Sequence, residues 1–408
     1  MKSNYKRLGD FIEFYNIRAI ELEENLDIES IRGISSISKS FIKTRANLVG
    51  VVADKYKVVT NDCFAYNPNT ARMGDKIPIA LNTTKDIVLV SSIYPTFKIK
   101  KTNELDPEYL MMWFRRPEFD RYARYKSHGS AREVFDIDEM NELILPVPSK
   151  EKQEEIVREY NVIQNRIYLN NQLITKLEET AQAIYKQWFM DFEFPDENGL
   201  SYKSNAGEMV WCEEVEKEIP KGWNIDNLSS YTKYSDKRIN INNLVPEKYI
   251  STENMLQNKK GITVSDEIPN ITTVAKFVSN DILISNIRPY LKKIWFADFE
   301  GGCSNDVLCI KTLNQKYSYF IYYALEQDSF FNYVMAGSKG TKMPRGDKQW
   351  IMDFKITIPN AMTLNKFSDF SEKSMNLRKV SEYENQKLEE LKELLQARMT
   401  KVETDILI

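Results

Sequence analysis

The chain has 408 residues, 42% apolar and 28% charged, which excludes a disordered or fibrous protein and suits two domains with connecting helices better than one core. Its net charge of −3 argues weakly against a nucleic-acid partner, but residues 219–359 carry net +4 and residues 194–218 net −5, and the distribution of charge counts for more than its sum. No run approaches about 18 apolar residues, so no membrane span is expected. Met1 to Asp10 lacks the apolar run of a signal peptide. The four cysteines, Cys63, Cys212, Cys303 and Cys309, lack paired metal-ligand spacing, which fits reduced thiols and a cytoplasmic protein.

Along the chain, the same features come round twice in the same order. Arg7-Leu-Gly-Asp-Phe-Ile-Glu-Phe-Tyr-Asn-Ile-Arg18 returns as Asn227-Leu-Ser-Ser-Tyr-Thr-Lys-Tyr-Ser-Asp-Lys-Arg238. Asn61-Asp62 with Asn67 returns as Asn280-Asp281 with Asn286, and the helical run at Tyr109 has a counterpart at Tyr319. Gly129-Ser130 matches Gly337-Ser338, and Leu143-Ile-Leu-Pro-Val-Pro148 matches Phe354-Lys-Ile-Thr-Ile-Pro359. The separations of 220, 219, 210, 208 and 211 residues vary little. Each half begins with a mixed domain containing short strands, such as Asp86–Val90 and Asp306–Ile310. Each then closes on a Pro-ended strand and continues into a long helix.

The first helix is expected over about Ser149 to Gln187, where apolar positions alternate by four and three: Ile156, Tyr160, Ile163, Ile167, Asn170, Ile174, Leu177, Ala181, Ile184, Trp188. The second, about Thr363 to Glu403, steps Phe367, Phe370, Ser374, Leu377, Ser381, Glu384, Leu388, Leu391, Leu395, Arg398, Val402. Each is a coiled-coil seam with a polar centre. A single narrow apolar stripe needs a partner, and the other helix is the nearest one. In an antiparallel pair Asn170 meets Ser381 and Glu384, which fixes register. The expected fold is α+β: two similar mixed α/β domains separated by two long antiparallel α-helices forming a coiled coil, with a pseudo-two-fold internal repeat. The segments are 1–148, 149–195 (first helix and aromatic turn), an acidic linker at 196–218, 219–359, and 360–408. The cluster Trp188, Phe189, Phe192 and Phe194 reads either as a plug beneath the helix end or, in part, as a docking surface.

Chemistry-bearing patterns are missing. His128 is the single histidine, which removes His-based metal centres and Ser-His-Asp triads. Gly337-Ser-Lys-Gly-Thr-Lys342 lacks the spacing of a phosphate-binding P-loop, and no G-x-G-x-x-G follows a strand. Asn67-Pro68 lacks the Pro-aromatic pair of an amino-methyltransferase. Donor-rich loops are present instead. His128-Gly-Ser130-Ala-Arg132 and Ser338-Lys339-Gly-Thr-Lys342-Met-Pro-Arg345-Gly-Asp-Lys348 precede the closing strands. Their glycines let backbone N–H groups approach phosphate, with serine, lysine and arginine as further donors. Lys39, Lys43, Arg45 and Arg288 are further candidates. Arg121-Tyr-Ala-Arg124-Tyr-Lys126 follows a predicted helix and reads as its solvated end. A DNA-binding scaffold, a scaffold for protein partners and an orphan enzyme are the rivals. The enzyme lacks a catalytic constellation, and salt dependence separates the other two.

The chain resembles the specificity subunit of a type I restriction-modification system. Leu177-Glu-Glu-Thr-Ala-Gln-Ala-Ile-Tyr-Lys-Gln-Trp-Phe-Met-Asp-Phe-Glu-Phe-Pro195 is similar to that family's central conserved segment. Glu218-Ile-Pro-Lys-Gly-Trp223 resembles the lead-in to its second target-recognition domain, and Pro148 and Pro359 fall where recognition domain passes into helix. The resemblance spans the whole length. It departs at Tyr5-Lys-Arg-Leu-Gly, which lacks the Ile-Pro-x-Gly-Trp lead-in, and at Ala397–Lys401, which lacks the aromatic turn. It implies a non-catalytic subunit whose two recognition domains each read one half of a bipartite double-stranded DNA target. Its helices then set the spacer and dock two methyltransferase subunits, through seam positions such as Ile163, Ile167, Asn170, Leu177, Trp188, Phe189, Leu388, Leu391 and Leu395. It further implies a restriction subunit as partner, no cofactor in this chain, and S-adenosylmethionine, ATP and Mg on the partners. DNA contact carries onto the basic neighbours of the Gly129-Ser130 and Gly337-Ser338 loops.

Overall fold

The computed structural model describes residues 4–22, 26–69, 76–128 and 133–401. The chain folds into two compact units, Met1–Asn170 with Tyr383–Ile408, and Asn171–Glu382. Its helices are α1 (Pro107–Phe114), α2 (Pro117–Lys126), α3 (Ile137–Asn141), α4 (Lys150–Tyr185), α5 (Ser318–Glu326), α6 (Asp328–Ala336), α7 (Lys348–Met352) and α8 (Ala361–Lys401). Helix and sheet are mixed in both units, as the α+β expectation requires.

In the first unit, strands Ile12–Tyr15, Thr96–Ile99, Cys63–Tyr66 and Ile79–Leu81 lie side by side in that order, each pair antiparallel. Phe64 and Phe97 stack at 4.7 Å across this sheet, and α1, buried from Tyr109 to Phe114, covers it. In the second unit the order is Thr232–Tyr234, Val307–Thr312, Ile282–Ser285 and Ile294–Phe296, again antiparallel, with α5 in the place of α1. The closing strands agree as well. Tyr5–Arg7 pairs with Ile144–Pro146, and Asn224–Asn227 with Lys355–Ile358. The duplication read from scattered motifs is therefore a duplication of strand order and pairing sense.

The first unit also fixes the start of α4. Gln153, fully buried, donates from Nε2 to Glu104 O and Pro148 O, both at 2.8 Å, and accepts from Asp106 N at 2.9 Å. Asp106 caps α1 through Glu108 N and Tyr109 N and receives Lys150 Nζ at 2.7 Å. One buried amide thus ties the long helix to the sheet domain, satisfying backbone groups that would otherwise be stranded.

Within the first unit α4 and α8 run antiparallel. Arg166 meets Glu384 at 2.9 Å, whereas Arg158 and Ile163, earlier in α4, lie beside Leu395 and Arg398, later in α8. Asn170 is buried and donates to Glu384 Oε2 and Asn385 Oδ1, each at 3.0 Å. Ser381, expected to share that contact, instead bonds within its own helix to Leu377 O at 3.0 Å. In the second unit Arg378 of α8 reaches Glu178 of α4 at 3.0 Å, and Phe189 packs on Phe367 at 4.9 Å. That pairing is antiparallel too.

The α4 seam positions from Ile156 to Trp188 are all buried or half-buried. On α8 the phase needs correcting. Phe367, Ser374, Ser381, Leu388 and Leu395 face inward, but the alternate positions lie one residue later than expected: Ser371, Arg378, Asn385, Lys392 and Met399. Leu377 and Leu391 are solvent-exposed. The polar residues at those inner positions, chiefly Arg378 and Lys392, hide the stripe from an apolar-only reading.

After α4 the backbone widens into a π-helical turn, Lys186–Met190, and Phe192 adopts a left-handed φ of 63°. Phe189, Phe192 and Phe194 are buried in the core of the second unit, where Phe194 stacks on Trp223 at 4.8 Å; Trp188 is half-buried and Met190 exposed. Phe189, Phe192 and Phe194 form the plug beneath the helix end, and Trp188 at its edge keeps part of its surface.

Candidate nucleic-acid interface

In the second unit the basic loop residues come together at one end of the main sheet. Arg345 forms isolated antiparallel bridges with both Lys339 and Ile287, and Arg288 N donates to Pro344 O at 2.8 Å. The two candidate segments, Asn286–Arg288 and Ser338–Lys348, are therefore one surface although some 50 residues separate them in sequence. Arg288 takes a left-handed φ of 51°, a conformation that costs a non-glycine residue stability and is held here by its neighbours. Lys339 pairs with Asp347 at 2.9 Å, which holds that carboxyl below its ordinary range, and Arg345 pairs with Asp306 at 3.1 Å. Lys348 starts α7 and lies over the Tyr234 ring at 5.7 Å. Among the described residues, the exposed Arg288 and Lys342 have no carboxylate partner.

Two details differ from the expected anion loop. Ser338 Oγ donates to Val334 O at 2.7 Å, closing α6. Gly337 N is also spent on α6, on Tyr333 O, and a Cβ at Gly337 would stand 2.2 Å from Trp350 Cδ1. That glycine is required for close packing of Trp350, not for approach to a phosphate.

In the first unit Gly129, Ser130 and Arg132 lie outside the described residues. His128 is exposed and donates from Nε2 to Glu139 at 3.2 Å, and Glu139 also pairs with Lys126 at 3.0 Å; those two partners, Lys126 first, hold the Glu139 carboxyl below its ordinary range. Lys43, on strand Phe41–Lys43, and Arg45 beyond it are exposed, without an ion partner among the described residues. Lys39 is different. Expected as an exposed cation, it is 3% exposed, with its ammonium on Asp120 at 2.7 Å and on Phe114 O. The Ser-rich turn folds back and inserts it between α1 and α2. Arg121 to Lys126, expected beyond a helix end, belongs to a second helix, α2.

The seam residues fall in two groups. Ile163, Asn170, Phe189 and Leu395 are buried, and Ile167, Leu177, Trp188 and Leu388 are half-buried. Leu391 lines a groove of about 460 Å³ in the first unit with Val162, Ile163, Leu394 and Leu395, where Val162, Leu391 and Leu394 are all more than half exposed. Sequence reasoning missed Val162 and Leu394, whose signal was an apolar letter off the expected seam.

The arrangement offers cations and hydrogen-bond donors on loops. Among the described residues no cluster of His, Cys, Asp or Glu is placed to hold a metal ion, and no helix is long and apolar enough to cross a membrane. Fold and surface together define an internally duplicated α+β protein with a basic loop cluster described in the second unit.

Comparison with known proteins shows what such a chain is similar to. The chain is 26% identical over 277 residues to the type I restriction enzyme MjaIX specificity subunit of Methanocaldococcus jannaschii, covering 64% of this chain and 60% of that one. It is 32% identical over 89 residues to the HindI specificity subunit of Haemophilus influenzae, 21% of this chain and 19% of the relative. The chain thus spans under two thirds of the length of these relatives. The crystal structure of the type I restriction-modification S subunit from M. genitalium superposes with a TM-score of 0.57 at 14% identity, over 97% of this chain and 95% of that one. No family model matches the chain. In sequence the protein is a relative of type I restriction-modification specificity subunits, and it shares their fold.

Proposed function

We infer that the chain is the non-catalytic DNA-recognition subunit of a type I restriction-modification complex. Each recognition domain, residues 1–148 and 219–359, reads one half of a bipartite double-stranded target through its basic loops. The helical segments 149–195 and 360–408 set the distance between the halves and dock two methyltransferase subunits. A restriction subunit joins the assembly, which works in the cytoplasm. S-adenosylmethionine, ATP and Mg serve the partner subunits, and this chain needs none.

One observation carries the reading: the same strand order, closed by the same strand pair, occurs in both units, in a chain related by sequence to specificity subunits. Two equivalent domains suit a target in two parts, and cations on loops suit phosphate and guanine edges. The apolar groove beside Leu391 suits an amphipathic helix of a methyltransferase subunit, which would cover Val162 and Leu394.

Co-expressing the chain with its neighbouring methyltransferase gene and mapping methylated adenines tests this. The expected result is a split motif with a fixed spacer that disappears when this chain is omitted. Methylation indifferent to the chain would overturn the reading.

A further inference from the structure

The ion pair that buries Lys39 forms the floor of a pocket of about 520 Å³ in the first unit. Its construction follows from α2. Phe119 and Ala123 turn one face of that helix into the core, so Pro117, Asp120, Arg121, Arg124 and Tyr125, spaced by three, four, seven and eight residues from the first, fall on another face. Across from it lie Lys76, Arg115 and the hairpin tip carrying Ile37. The lining holds five cations, counting Lys39, against one carboxylate, Asp120, and that carboxylate is already engaged by Lys39 and by Ile77 N at 3.1 Å. Burial first, and then the like charges of Lys76 and Arg115, depress the ammonium of Lys39 against the pull of Asp120.

The remaining cations are weakly matched. Arg121 touches Glu118 at 3.3 Å and Arg124 touches Glu133, both surface pairs outside the lining. Exposed pairs of this kind contribute little to stability and exchange readily for a better anion. Among the described residues Lys76 and Arg115 meet no carboxylate. At the rim Ile37 is 82% and Tyr125 83% exposed, large apolar surfaces left beside a concentration of positive charge.

We propose that this pocket seats a backbone phosphate of the DNA half-site read by the first domain, held by Lys76, Arg121 and Arg124. Ile37 and Tyr125 lie against the adjoining deoxyribose. Lys39 and Asp120 touch no DNA; they position the hairpin tip against α2. The proposal rests on the DNA-recognition reading and adds the contact that sets the first domain's register on the duplex.

The test uses the full chain co-purified with its methyltransferase, titrated at several salt concentrations with a duplex carrying the mapped methylation motif and with a scrambled duplex. Lys76 and Arg121 are exposed, so the Lys76→Ala, Arg121→Ala double variant leaves the core untouched. It should bind about tenfold more weakly to both duplexes, with the slope of log affinity on log salt reduced by about one, because a phosphate contact releases counterions and carries no sequence. Tyr125→Ala should weaken binding and leave the slope as it was. Unchanged affinity and slope in the double variant would overturn the pocket while the functional reading stands. A loss confined to the motif would overturn the phosphate in favour of a base contact, and a wild-type complex that ignores both duplexes would overturn both readings. Inorganic phosphate displacing the duplex from wild type beyond the effect of matched chloride, and not from the double variant, would put a free anion in the pocket instead.

Discussion

A lysine at 3% exposure holds the first domain's hairpin in place. Removing one partner of a buried pair strands the other charge, a loss of about 3–5 kcal/mol. Lys39→Met should therefore destabilise the first domain by that order in chemical denaturation of the full chain; a change below about 1 kcal/mol would show that water reaches Asp120. The second unit holds the opposite case. Glu326 is buried, and burial pushes its carboxyl up to about 7, although Lys259, the Tyr322 hydroxyl at 3.3 Å and the Gln182 side chain pull it down. A carboxyl raised on folding binds its proton more tightly in the folded than in the unfolded state. Its contribution is therefore full below the ordinary value of 4.5 and is lost as pH rises through about 7. Glu326→Gln should flatten the stability profile between pH 5 and 8 and gain roughly 3 kcal/mol over wild type at pH 8. Parallel profiles for the two proteins would show that Glu326 stays ionised in the fold.

At the scale of elements, α8 carries apolar residues on two faces. Leu395 and Met399 are buried in the first unit, while Leu391 and Leu394 are more than half exposed. Leu395→Ala should cost about 2–4 kcal/mol in the isolated chain. Leu391→Ala and Leu394→Ala should change its stability by about 0.5 kcal/mol or less yet reduce co-purification with the methyltransferase subunit. Equal destabilisation by Leu391→Ala and Leu395→Ala would restore the seam phase expected from sequence. The polar layer behaves as an electrostatic latch. Arg166, then Asn170, hold the Glu384 carboxyl below its ordinary range, so its contribution is present above the unfolded value and fades as pH falls through the folded one.

At the scale of the whole chain, the proposed function makes duplication the working device, one domain for each half of the target. Lys342, exposed and without a carboxylate partner among the described residues of the second unit, should affect one half-site alone. Lys342→Ala should weaken methylation dependent on one half of the motif and leave the other half's base preference intact; equal loss at both halves would count against one domain per half. Removing one heptad from both long helices should shorten them by about 10 Å and the preferred gap by about three base pairs. An unchanged gap, read from the methylation map, would sink the idea that the helices measure it.

The repeat, the two long helices and the α4 seam were legible in the sequence because each is local or periodic. Helix boundaries depend on residues within a turn or two, and the seam from Ile156 to Trp188 needs only a constant phase. Three features needed the tertiary structure. Lys39 meets Phe114 and Asp120 at 75 and 81 residues' distance, so nothing near it in sequence distinguishes a buried cation from an exposed one. The inner face of α8 is decided by which stripe finds a partner, and a helix with leucines on two faces does not announce it. The union of Arg288 with the loop from Ser338 to Lys348, and the basic pocket over Lys39, arise where separate loops and a helix face meet. Periodicity and composition describe one segment at a time, whereas a binding surface is made of several segments, and their meeting is settled only when the core beneath them packs.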